Sequence, residues 1–497
     1  MYKKILLLAS APLTVERPPA SLAVMAGVCE RNNVEYEVMD LNVFIGKQLG
    51  IKRAQHIGNL FITVDKIDHP DADLMAEIEA VLDLAIEKIA SFNIDLLAVS
   101  SFSYMQIAWT TKFLEKFRAN SNVTVIAGGP GISYEQYTTK TAGKVLAENN
   151  LIDYYVLGEG DGVFEEFING IIPLGVNAKD SKYENWVPQI DNLDNLPTPS
   201  YKKFDISNYT SDIMSGATQI TITGSRGCVR RCTFCDVGYL WKKFRFRSAD
   251  SIVTEIVTHF KEVGCLHYFF SDSLINGSLK QFMDVMTKLI ALHNEYPELK
   301  QLSYSGQFII RPKIHHKEKM FELLQQSGCD HLEIGIESGS EKVREHIGKK
   351  FSNDDIDYHL EMCEKYKIKN HILMFTSYPT ETLEDHQETL DFYIKNQKYL
   401  INGTIFGTNI NTPAAILSNT PLEKMSDELG IEFTNKEAIN VSNWTISTNP
   451  KLTVVEKWRR YIELVRLTAA LRYPRPFNLD TWLELNIQDF EKFSKSD

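Results

Sequence analysis

Residues 224–236 read GSRGCVRRCTFCD and set Cys228, Cys232 and Cys235 in a C-x3-C-x2-C spacing. A loop this short can turn its sulfurs inward around one metal centre. Thiolates favour soft metals, chiefly zinc and iron–sulfur clusters, and a purely structural site of either kind takes four protein ligands. No fourth cysteine or histidine falls within the next twenty residues. Three ligands on a cubane leave one iron open to another molecule, so the spacing reads as chemistry rather than a staple. The bland alternative is a zinc knob completed from a distance by His259, Cys265 or His267.

Around this loop stretch 497 residues, 43% hydrophobic and 24% charged, enough for about three domains with cores of their own. The net charge of −12 argues against a general nucleic-acid binder, which needs a basic footprint. Seven cysteines in no regular framework argue against a secreted disulfide scaffold. The opening MYKKILLLASAPL shares the look of a signal peptide, but it is short and reads better as a buried first strand. No stretch approaches the ~18 consecutive apolar residues of a membrane span. The expectation is a soluble protein of a reducing cytoplasm.

In the first third, KKILLLA at 3–9 is a continuous apolar run of the kind buried on both faces of a parallel sheet. Pro18 and Pro19 can open a helix through Cys29. Further strand patterns at 35–39, 95–102, 123–127 and 153–157 alternate with helical ones such as 73–92, which means βαβ units. Ligands of such sheets bind beyond the carboxyl ends of the strands. Those ends carry Ser100, Ser101 and Ser103, then Gly128, Gly129 and Pro130, then Gly158, Glu159 and Gly160. Residues 171–217, with Pro173, Pro188, Pro197 and Pro199, have little periodicity and read as a linker packed over the surface. From 219 the alternation resumes. Strands are expected at 219–224, 266–270, 302–306, 331–336, 370–375 and 403–408, and helices at 249–263, 278–297, 315–327, 352–367 and 381–396. Ser352 and Asp355 have the spacing of a capping box. Residues 410–450 are polar and loop-rich, and 454–473 form an amphipathic helix.

The cysteine loop, with Phe234 before the third cysteine, resembles the signature of the radical S-adenosylmethionine (SAM) enzymes. The segments AVSSFS, IAGGP and VLGEGD resemble, in that order, the cobalamin-binding domain found ahead of many of them. The resemblance implies an α/β chain of four parts: a flavodoxin-like, doubly wound cobalamin domain at 1–170, a linker at 171–217, a partial (β/α)6 barrel at 218–400, and a mostly helical substrate-covering region at 401–497. It implies a 4Fe-4S cluster on Cys228, Cys232 and Cys235. Phe234, Ser271, Asp272, Ser273, Gln307, Arg311, Glu337 and Ser338 would contact SAM, with Arg344 and Lys349 or Lys350 as weaker candidates. The strand-end residues Ser100, Ser101, Ser103, Gly128, Gly129, Pro130, Gly158, Glu159 and Gly160 would hold cobalamin. The tract MFTSYPTET at 374–382 resembles the family's G-x-P-G-E-T turn with both glycines replaced, by Ser377 and Thr380.

In that family one electron from the cluster cleaves SAM to a 5′-deoxyadenosyl radical, which takes hydrogen from an unactivated carbon, and methylcobalamin supplies a methyl group. The expected function is therefore cobalamin-dependent methylation of a small-molecule or natural-product-type substrate, with an electron donor such as flavodoxin or ferredoxin. The first rival is oxidation, cyclisation or ring rearrangement without methyl transfer. A second is a non-catalytic cobalamin- or metal-binding module. A methylthiolating RNA enzyme fits less well, since those carry a second cysteine triad and only Cys29 precedes residue 228 here. The family's cobalt-ligating D-x-H-x-x-G is missing, so cobalamin is expected with its own base displaced and without a protein histidine on cobalt; His56 and His69 lie in a polar connection. Seven basic residues at 226–247 are expected to offset the cluster's negative charge, with a phosphate-bearing substrate or a docking reductant as the sharper reading.

Overall fold

A computed structural model describes residues 1–12, 15–61, 67–135, 140–210, 217–315, 317–433 and 444–473. The chain divides into two units, residues 1–221 with 254–265, and residues 222–253 with 266–497.

The first unit is built on β1 (Lys4–Ala9), β2 (Glu35–Asp40), β3 (Leu96–Ser100), β4 (Thr124–Gly128), β5 (Tyr154–Val156) and β6 (Val176–Ala178). The sheet order is β2-β1-β3-β4-β5-β6, the flavodoxin-type order with β6 added. The first four join in parallel register, and β6 runs antiparallel to β5. Ile5 to Ala9 are all buried, which is why the first strand has no polar face. Helices start where the sequence offers caps: Asp40 accepts from Asn42 N ahead of Leu41–Leu49, and Asp71 from Asp73 N and Leu74 N ahead of Ala72–Ala90. Residues 171–217 are more than a surface connection. They supply β6, and Leu193, Tyr201 and Tyr209 are buried, Tyr201 Oη donating to Thr221 O at 3.2 Å.

The second sheet holds β7 (Ile220–Ile222), β10 (His267–Phe270), β11 (Ser303–Phe308), β12 (Cys329–Glu337), β13 (Lys369–Met374) and β14 (Ile405–Ile410), in the order β14-β13-β12-β11-β10-β7. From β10 to β14 every pairing is parallel between successive strands. The end strands β7 and β14 do not pair with each other, so this is an open sheet of βα units. Helices at Leu279–Glu295, Glu318–Gln326, Asn353–Tyr366 and Leu383–Lys395 follow the strands, and the last two begin in capping boxes, Ser352 with Asp355 and Thr382 with Asp385. A short ribbon, β8 (Ser225–Arg226) against β9 (Arg245–Phe246), brackets the cysteine loop. Beyond β14 the described residues include short helices at Pro421–Lys424 and Ser426–Leu429, an antiparallel ribbon, β15 (Ile431–Phe433) with β16 (Trp444–Ile446), and the helix Val454–Ala470. Trp444 and Trp458 are core residues, while Trp482 lies outside the described residues.

Candidate active site

The cysteine loop leaves the end of β7 and is pinned from three directions. Thr233 N donates to Ile347 O at 2.9 Å, and Leu422 N donates to Thr233 O at 2.8 Å. Thr233 Oγ1 shares a hydrogen bond with Tyr378 Oη at 2.8 Å. Phe234 sets its ring edge-on to Phe375, centroids 5.2 Å apart, against a core that includes Leu422, Trp444 and Ile446. The loop's shape is thus held by residues far along the chain, including the region after β14.

All three loop cysteines are free and half-buried. Burial pushes the Cys232 thiol up, against a partial offset from the Lys349 ammonium, and pushes Cys235 up to about 12. Buried thiolates of this kind need a cationic partner, and a coordinated metal deprotonates them outright. Among the described residues no three or more His, Cys, Asp or Glu side chains converge to hold a single metal ion. The proposed distant zinc ligands are engaged elsewhere: His259 Nε2 meets Pro199 O at 3.1 Å, and His267 Nδ1 meets Ser303 Oγ at 2.7 Å. A cubane asks for less convergence, because each thiolate binds its own iron. The donor set, three thiolates without a fourth, fits such a cluster with an open corner.

At the strand ends beside the loop, Asp272 is buried and accepts from Gly224 N at 2.8 Å, tying the end of β10 to the entry of the cysteine loop. Burial raises its carboxyl to about 7, with the Arg247 guanidinium pulling the other way. Ser271 Oγ shares a hydrogen bond with Thr223 Oγ1 at 3.1 Å, and Ser273 is half-buried one residue beyond Asp272. Gln307 exposes its side chain, while its carbonyl accepts from Ile275 N at 2.8 Å. Arg311 donates to Asn276 O and Gly277 O at 2.8 and 2.9 Å, bracing the loop after β10.

Glu337 closes β12 at a register shift, with φ +70°. A side chain in this left-handed region costs of order 1 kcal/mol or more and persists where surroundings over-determine it. Here Lys349 does so: Nζ donates to Glu337 Oε1 at 2.9 Å and to Gly335 O at 2.8 Å. Gly335 makes the room, since a Cβ there would overlap Glu337 Oε1 and come within 2.8 Å of Lys349 Nζ. Lys349 is also within electrostatic reach of Cys232 and Cys235. Only as a secondary candidate did the sequence offer Lys349; what marks it is a pairing across twelve residues that no periodicity reveals.

Two residues turn away. Ser338 is buried and bonds Thr389 Oγ1 at 3.2 Å, which fastens β12 to the helix Leu383–Lys395. Arg344 is buried with Nη1 donating to Ser338 O at 2.7 Å. In the turn after β13, Ser377 keeps a glycine-like φ of +61°. Its amide donates to Glu381 Oε1 at 3.0 Å, and Arg460 Nη1 pairs with that same oxygen at 3.0 Å.

In the first unit β3, β4 and β5 are neighbouring strands, so Ser100–Ser103, Gly128–Pro130 and Gly158–Gly160 lie along one end of the sheet. Gly129 has φ +103°, and a Cβ there would overlap Ser101 O. Ser101 is buried and makes a local bond to Ser103 O at 3.4 Å, while Ser103 caps the next turn with Gln106. Ser100 Oγ bonds Ser21 Oγ at 2.8 Å; Glu159 is buried, accepts from Ile190 N at 3.4 Å, and precedes Gly160 at the start of the helix Asp161–Ile168. His69 Nδ1 accepts from Asp71 N at 3.1 Å, and His56 is exposed on the helix Ile51–Leu60. Leu13 and Thr14, part of the loop after β1, lie outside the described residues.

The radical SAM superfamily matches residues 222–393, which contain the cysteine loop and four of the six sheet strands, β10 to β13. That match covers about a third of the chain. An uncharacterized methyltransferase of Pyrococcus horikoshii is 26% identical over 333 residues, 64% of this chain and 68% of its own length. The chain also matches tRNA-2-methylthio-N(6)-dimethylallyladenosine synthases, spanning about half their length, 45% for that of Geobacillus kaustophilus at 24% identity. Among solved structures, the radical SAM methyltransferase TsrM from Kitasatospora setae, with cobalamin and a 4Fe-4S cluster bound, shares the fold with TM-score 0.64 at 17% identity, over 89% of this chain and 82% of TsrM. The cobalamin-dependent SAM radical enzyme OxsB does so with TM-score 0.65 at 15% identity, over 99% of this chain and 75% of OxsB. Among the described residues no helix is long and apolar enough to cross a membrane.

Proposed function

We propose that this chain is a radical SAM enzyme, a cobalamin-dependent methyltransferase acting on an unactivated carbon of a small-molecule substrate. The observation that carries the reading is the three-cysteine loop, with no fourth ligand among the described residues, seated beside the strand-end carboxylates Asp272 and Glu337. It is supported by the preceding sheet, whose 2-1-3-4-5 order brings nine small or polar residues to one end. Cys228, Cys232 and Cys235 would hold a 4Fe-4S cluster, and Ser100, Ser101, Ser103, Gly128–Pro130 and Gly158–Gly160 would hold cobalamin. When bound, the cluster supplies an electron for opening SAM, and cobalamin supplies the methyl group. This chain's residues do the positioning. Thr233, Phe234 and Tyr378 fix the loop, Glu337 would accept hydroxyl hydrogens of the SAM ribose, and Lys349 places a cation beside the cysteines. Phe234, Ser271, Asp272, Ser273, Gln307 and Arg311 remain the other proposed SAM neighbours; Ser338 supports the strand end from behind.

Anaerobically reconstituted protein, reduced and given SAM and hydroxocobalamin, is expected to form 5′-deoxyadenosine and to bind cobalamin stoichiometrically. Glu337→Ala is expected to weaken SAM binding while the iron content is unchanged. Protein that binds a cluster but never yields 5′-deoxyadenosine overturns the enzymatic reading. Release of 5′-deoxyadenosine with an oxidised, unmethylated product favours the rival reaction without methyl transfer.

A further inference from the structure

The cysteine loop has a second approach that the strand-end residues do not line. A cavity of about 160 Å³ reaches Cys232 and Cys235 and is walled by Arg230, Arg231, Lys242 and Lys424. Asp272, Gln307, Glu337 and Lys349 take no part in it.

Several cations elsewhere in the chain are paired. Lys349 pairs with Glu337 at 2.9 Å, Arg460 with Glu381 at 3.0 Å, and Lys202 with Glu30 and Glu262 at 2.7 and 3.1 Å. Of the seven basic residues at 226–247, Arg245 and Arg247 are buried, and Arg247 is spent on Thr223 O and Ser251. By contrast, none of Arg230, Arg231, Lys242 and Lys424 makes an ion pair among the described residues. Arg231 donates only to the carbonyls of Cys228, Arg230 and Lys242, which hold its shape but leave its charge uncompensated. Arg230 Nε is buried without a partner. Lys242 Nζ lies 5.1 Å from the Tyr239 ring centroid. Arg231, Lys242 and Lys424 are exposed, and so are Val229 and Phe246 on the same loop and ribbon. On a chain of net charge −12 this is a local reversal of sign.

We propose that this basic opening docks an acidic one-electron donor protein, which passes its electron to the cluster through the side where Cys232 and Cys235 reach the surface. The proposal rests on the cluster reading above. Unpaired cations around a cavity whose wall also carries Val237, Tyr239 and Pro421 favour a protein of opposite charge, because long-range attraction raises the encounter rate and the apolar contacts hold the complex. The step is a simple electron transfer. A donor flavin hydroquinone becomes the semiquinone, the cluster goes from its oxidised 2+ to its reduced 1+ level, and no heavy-atom bond forms or breaks.

The test uses the full reconstituted chain and follows bleaching of the cluster absorbance in a stopped-flow instrument. The probes are an acidic flavodoxin in its hydroquinone form and, separately, photoreduced deazaflavin as a small neutral reductant. Arg231→Glu, Lys242→Glu and Lys424→Glu, alone and combined, are expected to slow reduction by flavodoxin, by about 10-fold or more for the triple variant at low salt. The parent's rate should fall as salt rises, while deazaflavin reduces parent and variants alike and the iron content stays constant. Variants reduced by flavodoxin at the parent rate overturn the proposal. So does equal slowing with both reductants, which would make the cations a mere offset to the cluster's charge. A parent without iron–sulfur absorbance overturns the cluster reading itself, and the docking surface with it.

Discussion

Asp272→Asn offers a test whose size follows from burial alone. Asp272 is buried, and removal from water raises its carboxyl from the ordinary 3.8 to about 7, even with Arg247 nearby. A raised acid pKa means that the native state holds the proton more tightly than the unfolded chain does. The stabilisation is therefore complete below pH ~4 and is lost as pH rises through 7. The gap is about three pH units, worth ~4 kcal/mol at 1.36 kcal/mol per unit. Asparagine stays neutral at every pH and can still accept from Gly224 N. Its stability relative to the parent should climb by ~1.4 kcal/mol per pH unit between about pH 4 and 7 and then level off. Buried Glu381 is also pushed up to about 7, but it titrates in parent and variant alike and cancels in the difference. Urea unfolding of metal-free protein at a series of pH values, followed by tryptophan emission, measures that difference. Parallel pH profiles for parent and variant would falsify the argument and mean that water or a rearranged Arg247 solvates the carboxylate.

Other outcomes follow from the same geometry. Cys228→Ala, Cys232→Ala and Cys235→Ala should each abolish the brown iron–sulfur absorbance of anaerobically reconstituted protein; stoichiometric zinc and no iron in the parent would exclude the cluster. Lys349→Met leaves Glu337 buried without its partner and should destabilise the fold by about 3 kcal/mol, the low end for a broken buried pair because the side chains keep 9% and 10% of their exposure. The double change with Glu337→Gln should recover most of that loss, and additive losses in thermal melts would show that the pair is not coupled. With cobalamin bound, its own base displaced, and reduced to cob(II)alamin, the electron paramagnetic resonance spectrum should lack nitrogen superhyperfine splitting, since no histidine occurs at the described strand ends of the first sheet to replace that base; a split spectrum identifies an axial nitrogen ligand and refutes the expectation.

Much of this was readable before any coordinates. The run KILLLA and the strand patterns around 96–100 and 124–128 are continuous apolar segments, and a strand buried on both faces has little alternative but to look that way. The helix at 249–263 was expected at its observed bounds, because a strong 3.6-residue period leaves little freedom. The elements that went unseen are short or paired over long distances. β6 and the β8–β9 ribbon have two or three residues per strand, too few for a period, and their partners are chosen by tertiary packing. The helix Glu341–Ile347 spans under two turns, too short for an apolar period to show. At the site the cysteines declare themselves by spacing. The Glu337–Lys349 pair, the notch at Gly335 and the inward turn of Ser338 depend on a register shift in β12 that sequence spacing does not encode.

The pinning of Thr233 by Leu422 sets an order on the protein's biosynthesis. The loop and its clasp are separated by about 190 residues of chain. At a synthesis rate of about 5–20 residues per second, the cysteines emerge roughly 10–40 seconds before the segment that fixes them exists. During that interval three thiols stand on an unclosed loop, open to stray metals and oxidants. The finished cradle exists only once the segment around Leu422 has emerged and folded back, so a cluster held in its final geometry has to follow that segment.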